Sequence, residues 1–325
     1  MTRPEAATYR HAVPSSRESA RAPRVGVVVL DWNGGRDAIA CVESVLGGDY
    51  PEVEVVAVDN ASREPVLEEL RARYPGVRTA ANPRNLGYAG GNNVGIGIAL
   101  ESGAEYVLVL NNDARVRTDT VRALVAAARR DPAIGAVGAK ILREDDPRRL
   151  WLAWGEVTWR QSLVRLVGAD APDGPEYSTA RDVPWVSGCA ILMRAAAIRA
   201  IGAFDEEFFA YHEEVDWCAR AREAGWRVVW APSAVVTHRG QASSGGPVYV
   251  SRRQYLTARN MVRFAAKHGS LARRLQLAAF LVATLPFQYL RRLLRGEQEG
   301  VLLKVRGLRD ALLGRPIPRA DLGLD

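Results

Sequence analysis

Several short stretches of this chain hold residue types that could do chemistry together. Asn111, Asn112 and Asp113 directly follow the apolar run 106–110, which reads as a buried strand. A carboxylate at the carboxyl end of such a strand lies where open α/β sheets bind their ligands, and a hard oxygen there can hold a divalent cation against a diphosphate. The same residues also make an ordinary turn, with Thr118 as the N-cap of the next helix. His238 ends a later strand just before the Gly- and Ser-rich stretch 240–246. Neutral imidazole is a competent partner for Asp113 on Mg²⁺ or Mn²⁺, and equally serves as a plain hydrogen-bonding group.

Other stretches suggest a nucleotide. Val58-Asp59-Asn60-Ala61-Ser62 places Asp59 at another strand end, where it can accept a hydrogen bond from the N3–H of uracil or thymine, while Asn60 and Ser62 shape the turn and cap a helix. Trp32 offers either a flat face for the base or ordinary loop packing. In the stretch 82–93, glycines permit close backbone approach to a ligand, Arg84 can meet a phosphate and Asn85 a ribose or base edge; a flexible loop is the alternative. Finally, Phe208 and Phe209 run within a few residues into Glu213 and Glu214. Carboxylates in a first helical turn are favoured by the helix dipole alone, but adjacent aromatics before paired glutamates also suit a cleft that holds a general base.

The elements that must position these groups alternate through the first half. Val25 to Leu30 and Val53 to Val58 read as strands, each followed by a helix, the second opened by Ser62 and Pro65; Val77 to Ala80 is a short third strand. After the glycine-rich stretch 86–97 come the strand carrying Asn111 to Asp113 and a helix from about Thr118 to Arg130. This β-α-β-α order predicts an α/β fold with a parallel sheet covered on both faces. In the second half, 135–142 and 150–159 look like sheet-edge segments, 168–182 a loop, and 183–193 an apolar strand. A short helix then stops at Gly202, another ends at Gly225, and 226–230 and 234–238 close with two strands.

Composition bounds the reading. The 325 residues are 48% hydrophobic, enough for a real core, and carry a net charge of +7, largely from arginine, which permits contact with phosphates, nucleic acid or an anionic membrane without choosing among them. Cys41, Cys189 and Cys218 are scattered without a C-x-x-C pair, which argues against a disulfide framework or zinc site and for a reducing compartment. The first strand leads into Asp31-Trp32-Asn33-Gly34-Gly35 with neither G-x-G-x-x-G nor a Walker pattern, so a dinucleotide oxidoreductase or P-loop protein is disfavoured. Residues 1–23 read as a flexible tail without a signal-peptide core. The apolar segment 275–290 is broken by Gln276, Pro286 and Gln288, too short to span a bilayer, and flanked by Arg273, Arg274, Arg291, Arg292 and Arg295; Lys304, Arg306 and Arg309 repeat the pattern. It suits either a helix lying in an anionic headgroup layer or a helical hairpin packed on the protein.

Val-Asp-Asn-Ala-Ser, Asn-Leu-Gly-Tyr-Ala-Gly-Gly-Asn-Asn, Leu-Asn-Asn-Asp, Phe-Asp-Glu-Glu-Phe-Phe and Tyr-His-Glu-Glu-Val-Asp-Trp-Cys together resemble, in order and spacing over roughly residues 24–268, the family 2 glycosyltransferases of GT-A fold, most of all their bacterial rhamnosyltransferase branch. The resemblance implies a Rossmann-like, mainly parallel sheet in a catalytic domain of residues 24–249, followed by a helical extension over 250–325. It implies inverting, metal-dependent transfer from a nucleotide diphospho-sugar, dTDP-rhamnose first and UDP-hexose or UDP-galactofuranose next. The acceptor would be a polyprenyl diphosphate-linked saccharide of cell-envelope polysaccharide synthesis, met in the cytoplasm at the inner face of the plasma membrane, with no nucleic-acid partner. Carried over, Trp32 and Asp59 hold the base, Asn111 and Asp113 occupy the metal-binding acidic motif, and His238 completes the metal site on Mg²⁺ or Mn²⁺. Asn111 stands where the family usually has Asp, which shifts ligation onto Asp113 and His238. Glu214, in place of the usual Asp, is the expected base, with Glu213 the alternative. A non-catalytic nucleotide- or membrane-binding α/β protein, with both glutamates as helix caps, is the rival reading.

Overall fold

A computed structural model describes residues 21–160, 162–240 and 252–325. Most of the expected N-terminal tail, the Gly- and Ser-rich stretch from residue 241, and the start of the expected extension at 250–251 lie outside the described residues. The chain runs β1 (Val25–Asp31), α1 (Arg36–Leu46), β2 (Val53–Asp59), α2 (Leu67–Arg73), β3 (Arg78–Ala81), α3 (Gly87–Glu101), β4 (Tyr106–Asn111), β5 (Ala114–Val116), α4 (Thr120–Arg129) and β6 (Ile134–Arg143). It continues through β7 (Leu150–Leu152), β8 (Trp154–Val157), β9 (Val164–Val167), β10 (Arg181–Asp182), β11 (Ala190–Arg194), α5 (Ala195–Ile201), α6 (Glu213–Glu223) and β12 (Arg227–His238). It ends in α7 (Arg253–His268), α8 (Leu271–Leu293) and α9 (Gln298–Leu312).

The main sheet has the order β10-β12-β6-β11-β4-β1-β2-β3, with β5 on β12 and β7 on β6. β3, β2, β1 and β4 are parallel, β11 runs antiparallel to both β4 and β6, and β12 is parallel to β6. The fold is therefore the expected mixed, mainly parallel α/β sheet of GT-A type. Successive side chains of β1 point to opposite faces, so Val25, Val27 and Val29 pack with α1, whereas Val28 and Leu30 pack with α3. Both faces are covered, and an uninterrupted apolar strand is the result.

Several local expectations are corrected. The glycine-rich stretch 86–97 is mostly helix: a Cβ on Gly91 would sit 2.6 Å from Leu30, and one on Gly95 would collide with Val28. Those glycines let α3 lie close on the sheet. β6 is an interior strand between β12 and β11, not a sheet edge. The two strands expected over 226–238 are one, β12, bent by a register shift between Ala231 and Val235, and the strand expected over 183–193 is regular only from Ala190. Thr118 does not cap α4, which starts at Thr120. Ser62 does not open α2, which starts at Leu67; its N–H and hydroxyl serve Asp59 and Asp31.

In the C-terminal helices, α9 lies so close on α7 that any side chain at Gly307 would strike the Tyr255 carbonyl, and Tyr255 donates to Asp310 at 3.1 Å. α8 passes through Pro286 without a break and buries Leu277 and Leu281, leaving Leu271, Leu275, Val282, Phe287 and Leu290 exposed. Among the described residues, no helix is long and apolar enough to cross a membrane.

Candidate active site

The strand order turns back beside β1: the chain moves outward through β2 and β3, then returns to place β4 on the other side of β1. That is a topological switch point, where loops diverge and leave a crevice at the carboxyl ends of the strands. The register aligns Asp31 with Asp59 and Leu30 with Asn111, so their loops share one rim. Asp31, missed in the sequence reading, is buried and accepts from Asn112 Nδ2 at 2.6 Å and from the Gly34 N–H at 3.0 Å. Burial raises its pKa, with Asp59 adding and Asn112 opposing. Asn112 therefore braces the rim. Asp59 is buried and receives the Ser62 N–H at 3.2 Å.

Asp113 and His238 do come together. β5 pairs antiparallel with β12, matching Ala114 to His238, and His238 Nε2 lies 2.9 Å from Asp113 Oδ1 with both side chains buried. Burial opposes charge on each, but the neighbouring Cys189 and Asp113 bring His238 up to about 10, and the hydrogen bond and charge of His238 hold Asp113 below its usual range. Asn111 Nδ2 lies 3.4 Å from the same imidazole nitrogen. Its Oδ1 is 3.0 Å from the Tyr88 hydroxyl, which also lies 2.8 Å from the Gly188 carbonyl; the single hydroxyl hydrogen can serve one of these acceptors at a time.

Gly188 joins this cluster to the paired glutamates. A Cβ built on it would lie 3.3 Å from the Tyr88 hydroxyl and 3.6 Å from Glu214 Cβ. Glu213 is buried; Glu214 is half-buried as a residue, yet its Oε2, like that of Glu213, is closed to solvent and has no hydrogen-bond partner among the described residues. Burial raises Glu214 to about 7 against opposing backbone N–H groups of Glu214, Val215 and Gly188. It raises Glu213 further, with the Glu214 charge adding. Burial also lifts Tyr88, followed by the charge of Glu213, and pushes His212 down to about 4, so that imidazole stays neutral. One cluster thus joins the Asp-His pair, through Asn111, Tyr88 and Gly188, to the elevated carboxyl pair. Tyr88 was missed because its hydroxyl acquires a role only when α3 lies on the sheet; its place inside the glycine-rich motif was the available signal.

The remaining expected residues divide. Trp32 is half-buried at the end of β1, and the Arg252 guanidinium lies 4.7 Å from its ring centroid. Arg84 is exposed. Asn85 departs from expectation: its Nδ2 donates to the Leu324 carbonyl at 2.9 Å, and its Oδ1 accepts from Asn60 Nδ2 and from the Gly87 N–H, each at 2.8 Å. An amide occupied on both ends holds Leu324 against this loop and is not open to a ribose or base edge. Among the described residues no group of three His, Cys, Asp or Glu side chains is arranged to hold a metal. A cation here would have two such protein ligands, Asp113 and His238.

The family model of "Glycosyltransferase like family 2" matches residues 23–263. The N-acetylglucosaminyl-diphospho-decaprenol L-rhamnosyltransferase of Mycobacterium tuberculosis is 32% identical over 242 residues, covering 67% of this chain and 77% of its own. Among solved structures, the mannosyltransferase PcManGT of Pyrobaculum calidifontis, in complex with GDP-Man and Mn²⁺, superposes with a TM-score of 0.58 at 18% identity over 91% of this chain and 89% of its own. TarS 1–349 of S. aureus in complex with UDP-GlcNAc gives a TM-score of 0.59 at 18% identity over 90% and 82%. With this sheet order, this rim and these matches, the chain belongs to glycosyltransferase-like family 2 and is a glycosyltransferase related to the bacterial rhamnosyltransferases.

Proposed function

We propose that the protein transfers rhamnose from dTDP-rhamnose to a hydroxyl of a polyprenyl diphosphate-linked saccharide, with inversion at the anomeric carbon. The observation that carries this is the cluster at the carboxyl end of the sheet in which Tyr88 and Gly188 link Asn111, beside the Asp113–His238 pair, to the paired Glu213 and Glu214. A carboxyl near 7 is poised to act as a base at neutral pH. Glu214 takes the proton of the acceptor hydroxyl, the freed oxygen attacks the anomeric carbon, and the bond to the diphosphate breaks on the opposite face. One displacement inverts the configuration. Trp32 and Asp59 line the rim on the base side of the donor, and Arg84 is free to meet a phosphate.

Asp113, together with the His238 imidazole once it gives up the proton it now shares with that carboxylate, would hold Mg²⁺ or Mn²⁺, so cation binding would release a proton. Bound there, the cation would neutralise charge on the leaving diphosphate. Asn111 Nδ2 lies 3.4 Å from the same Nε2.

We assign transfer to residues 24–249 and acceptor-side placement to the C-terminal helices. α8 exposes Leu275, Val282, Phe287 and Leu290 as an apolar face, which supports a peripheral position on the anionic inner face of the plasma membrane. Not every flanking arginine is available: Arg274 caps the carbonyls of Ala265, Ala266 and Gly269, and Arg292 pairs with Glu297. The apolar face, more than basic charge, would carry the attachment.

The test offers dTDP-rhamnose, UDP-glucose and UDP-galactofuranose with N-acetylglucosaminyl-diphospho-decaprenol and follows nucleoside diphosphate release. Acceptor-dependent release that falls by at least ~10²-fold in Glu214→Gln supports the reading. Nucleotide binding without release from any donor would make the protein a binder with Glu213 and Glu214 as caps.

A further inference from the structure

The turn that delivers Glu213 and Glu214 is strained in a way its own sequence does not stabilise. Phe209, Tyr211 and His212 all have positive φ, at 62°, 71° and 71°, and none is glycine. Such backbone is costly for bulky residues and persists only where surroundings over-determine it. Phe209, at φ 62° and ψ −65°, centres a tight turn closed by the Ala210 N–H on the Phe208 carbonyl at 2.7 Å. The strain leaves the carbonyls of Phe208, Ala210 and Tyr211 converging on one point, where three oxygen dipoles repel one another unless a donor sits among them.

That donor is the side-chain amide of Asn260, fully buried on α7. Its Nδ2 lies 2.8 Å from Phe208 O, 2.8 Å from Ala210 O and 2.7 Å from Tyr211 O, so its two hydrogens serve three acceptors, one of them shared. Three surrounding carbonyls require the nitrogen here and the oxygen away; Oδ1 faces Arg259 Nη1 at 3.5 Å. α6 begins at Glu213, immediately after this turn. The direction in which Glu213 and Glu214 leave it, and so the seat of Glu214 against Gly188, depends on where those carbonyls are held.

We propose that Asn260 is a positioning residue for the transfer reaction: it locks the strained turn 208–212 and thereby sets the carboxyl pair of Glu213 and Glu214 beside Gly188 and Tyr88. This rests on the reading of Glu214 as the base. It also makes α7 part of the active site's support, although α7 follows the segment expected to end the catalytic domain.

The test is a double-mutant cycle in the full chain with dTDP-rhamnose and N-acetylglucosaminyl-diphospho-decaprenol. Asn260→Ala is expected to lower kcat by about tenfold or more, because small displacements of a reacting group are expensive, while the Kd for dTDP changes less than ~3-fold. In the Glu214→Gln background the same change should have little further effect, since a residue that acts through Glu214 has nothing left to position. Asn260→Ser, which keeps one donor, should recover part of kcat, and it carries the comparison if Asn260→Ala does not fold. Equal losses in kcat and dTDP affinity, or a full independent loss in the Glu214→Gln background, would show a merely structural role and overturn the proposal. Full activity of Glu214→Gln alone instead removes the base assignment, and with it this proposal, whatever Asn260→Ala does.

Discussion

Glu214→Gln should stabilise the protein while lowering transfer by at least ~10²-fold, and the gain in stability should depend on pH in a fixed direction. The folded carboxyl titrates at about 7 against 4.5 for an unperturbed glutamate, because burial disfavours the charged form. The folded state therefore binds this proton more tightly than the unfolded state. Stability from the group is fully present below the unfolded value of 4.5, falls as pH rises, and is gone once pH passes the folded value of about 7. With each pH unit across that window worth about 1.4 kcal/mol, the wild type gives up on the order of 3 kcal/mol. Glutamine has nearly the same shape, never ionises, and escapes this loss. Unfolding free energies of the two proteins from urea titrations should therefore nearly coincide at about pH 4.5 and diverge in favour of the variant by about 3 kcal/mol at about pH 8.5. Subtracting variant from wild type at each pH cancels the other titrating groups, apart from Glu213, whose pKa should drop once its charged neighbour is gone. Activity is read on the same samples. A stability difference that does not change with pH would mean the Glu214 carboxylate is solvated in the folded protein, and its role as an elevated base would fall with it.

Asp113→Ala should remove metal-dependent nucleotide binding and leave the fold intact, with EDTA having the same effect on wild type; undiminished dTDP-rhamnose turnover in excess EDTA would end the metal assignment. His238→Ala should be impaired in the same sense but less completely. Gly95→Ala should destabilise by about 1–3 kcal/mol, because the added methyl meets the stiff, buried Val28 side chain, and a melting curve matching wild type would show that α3 has room to retreat. Protein with Val282 and Phe287 changed to serine should sediment with anionic liposomes less than wild type, whose binding should weaken only modestly with salt; equal sedimentation of the two would mean the exposed face of α8 plays no part in membrane contact.

The alternation of apolar runs with helical spacing sufficed to show a covered, mainly parallel sheet, because a strand buried on both faces has to be apolar throughout, as β1 and β4 are. Asp59 and Asp113 were likewise legible, since a carboxylate directly after such a run has only the carboxyl end of a sheet to occupy. What a residue touches across the fold was not legible. Asn111, Asn112 and Asp113 are adjacent in the chain yet turn to Tyr88, Asp31 and His238, and only the strand order decides which neighbour each meets. The glycines of α3 looked like room for a ligand and turned out to be room for a helix on a sheet, a distinction that depends on Val28 and Leu30 of another element. Asn85 showed a free amide in the sequence, and residues more than two hundred positions later occupy it. Local propensity and hydrophobic pattern are written into consecutive residues; hydrogen-bond partners, burial and the pKa shifts they produce exist only after distant segments have packed, and those decided the chemistry of this site.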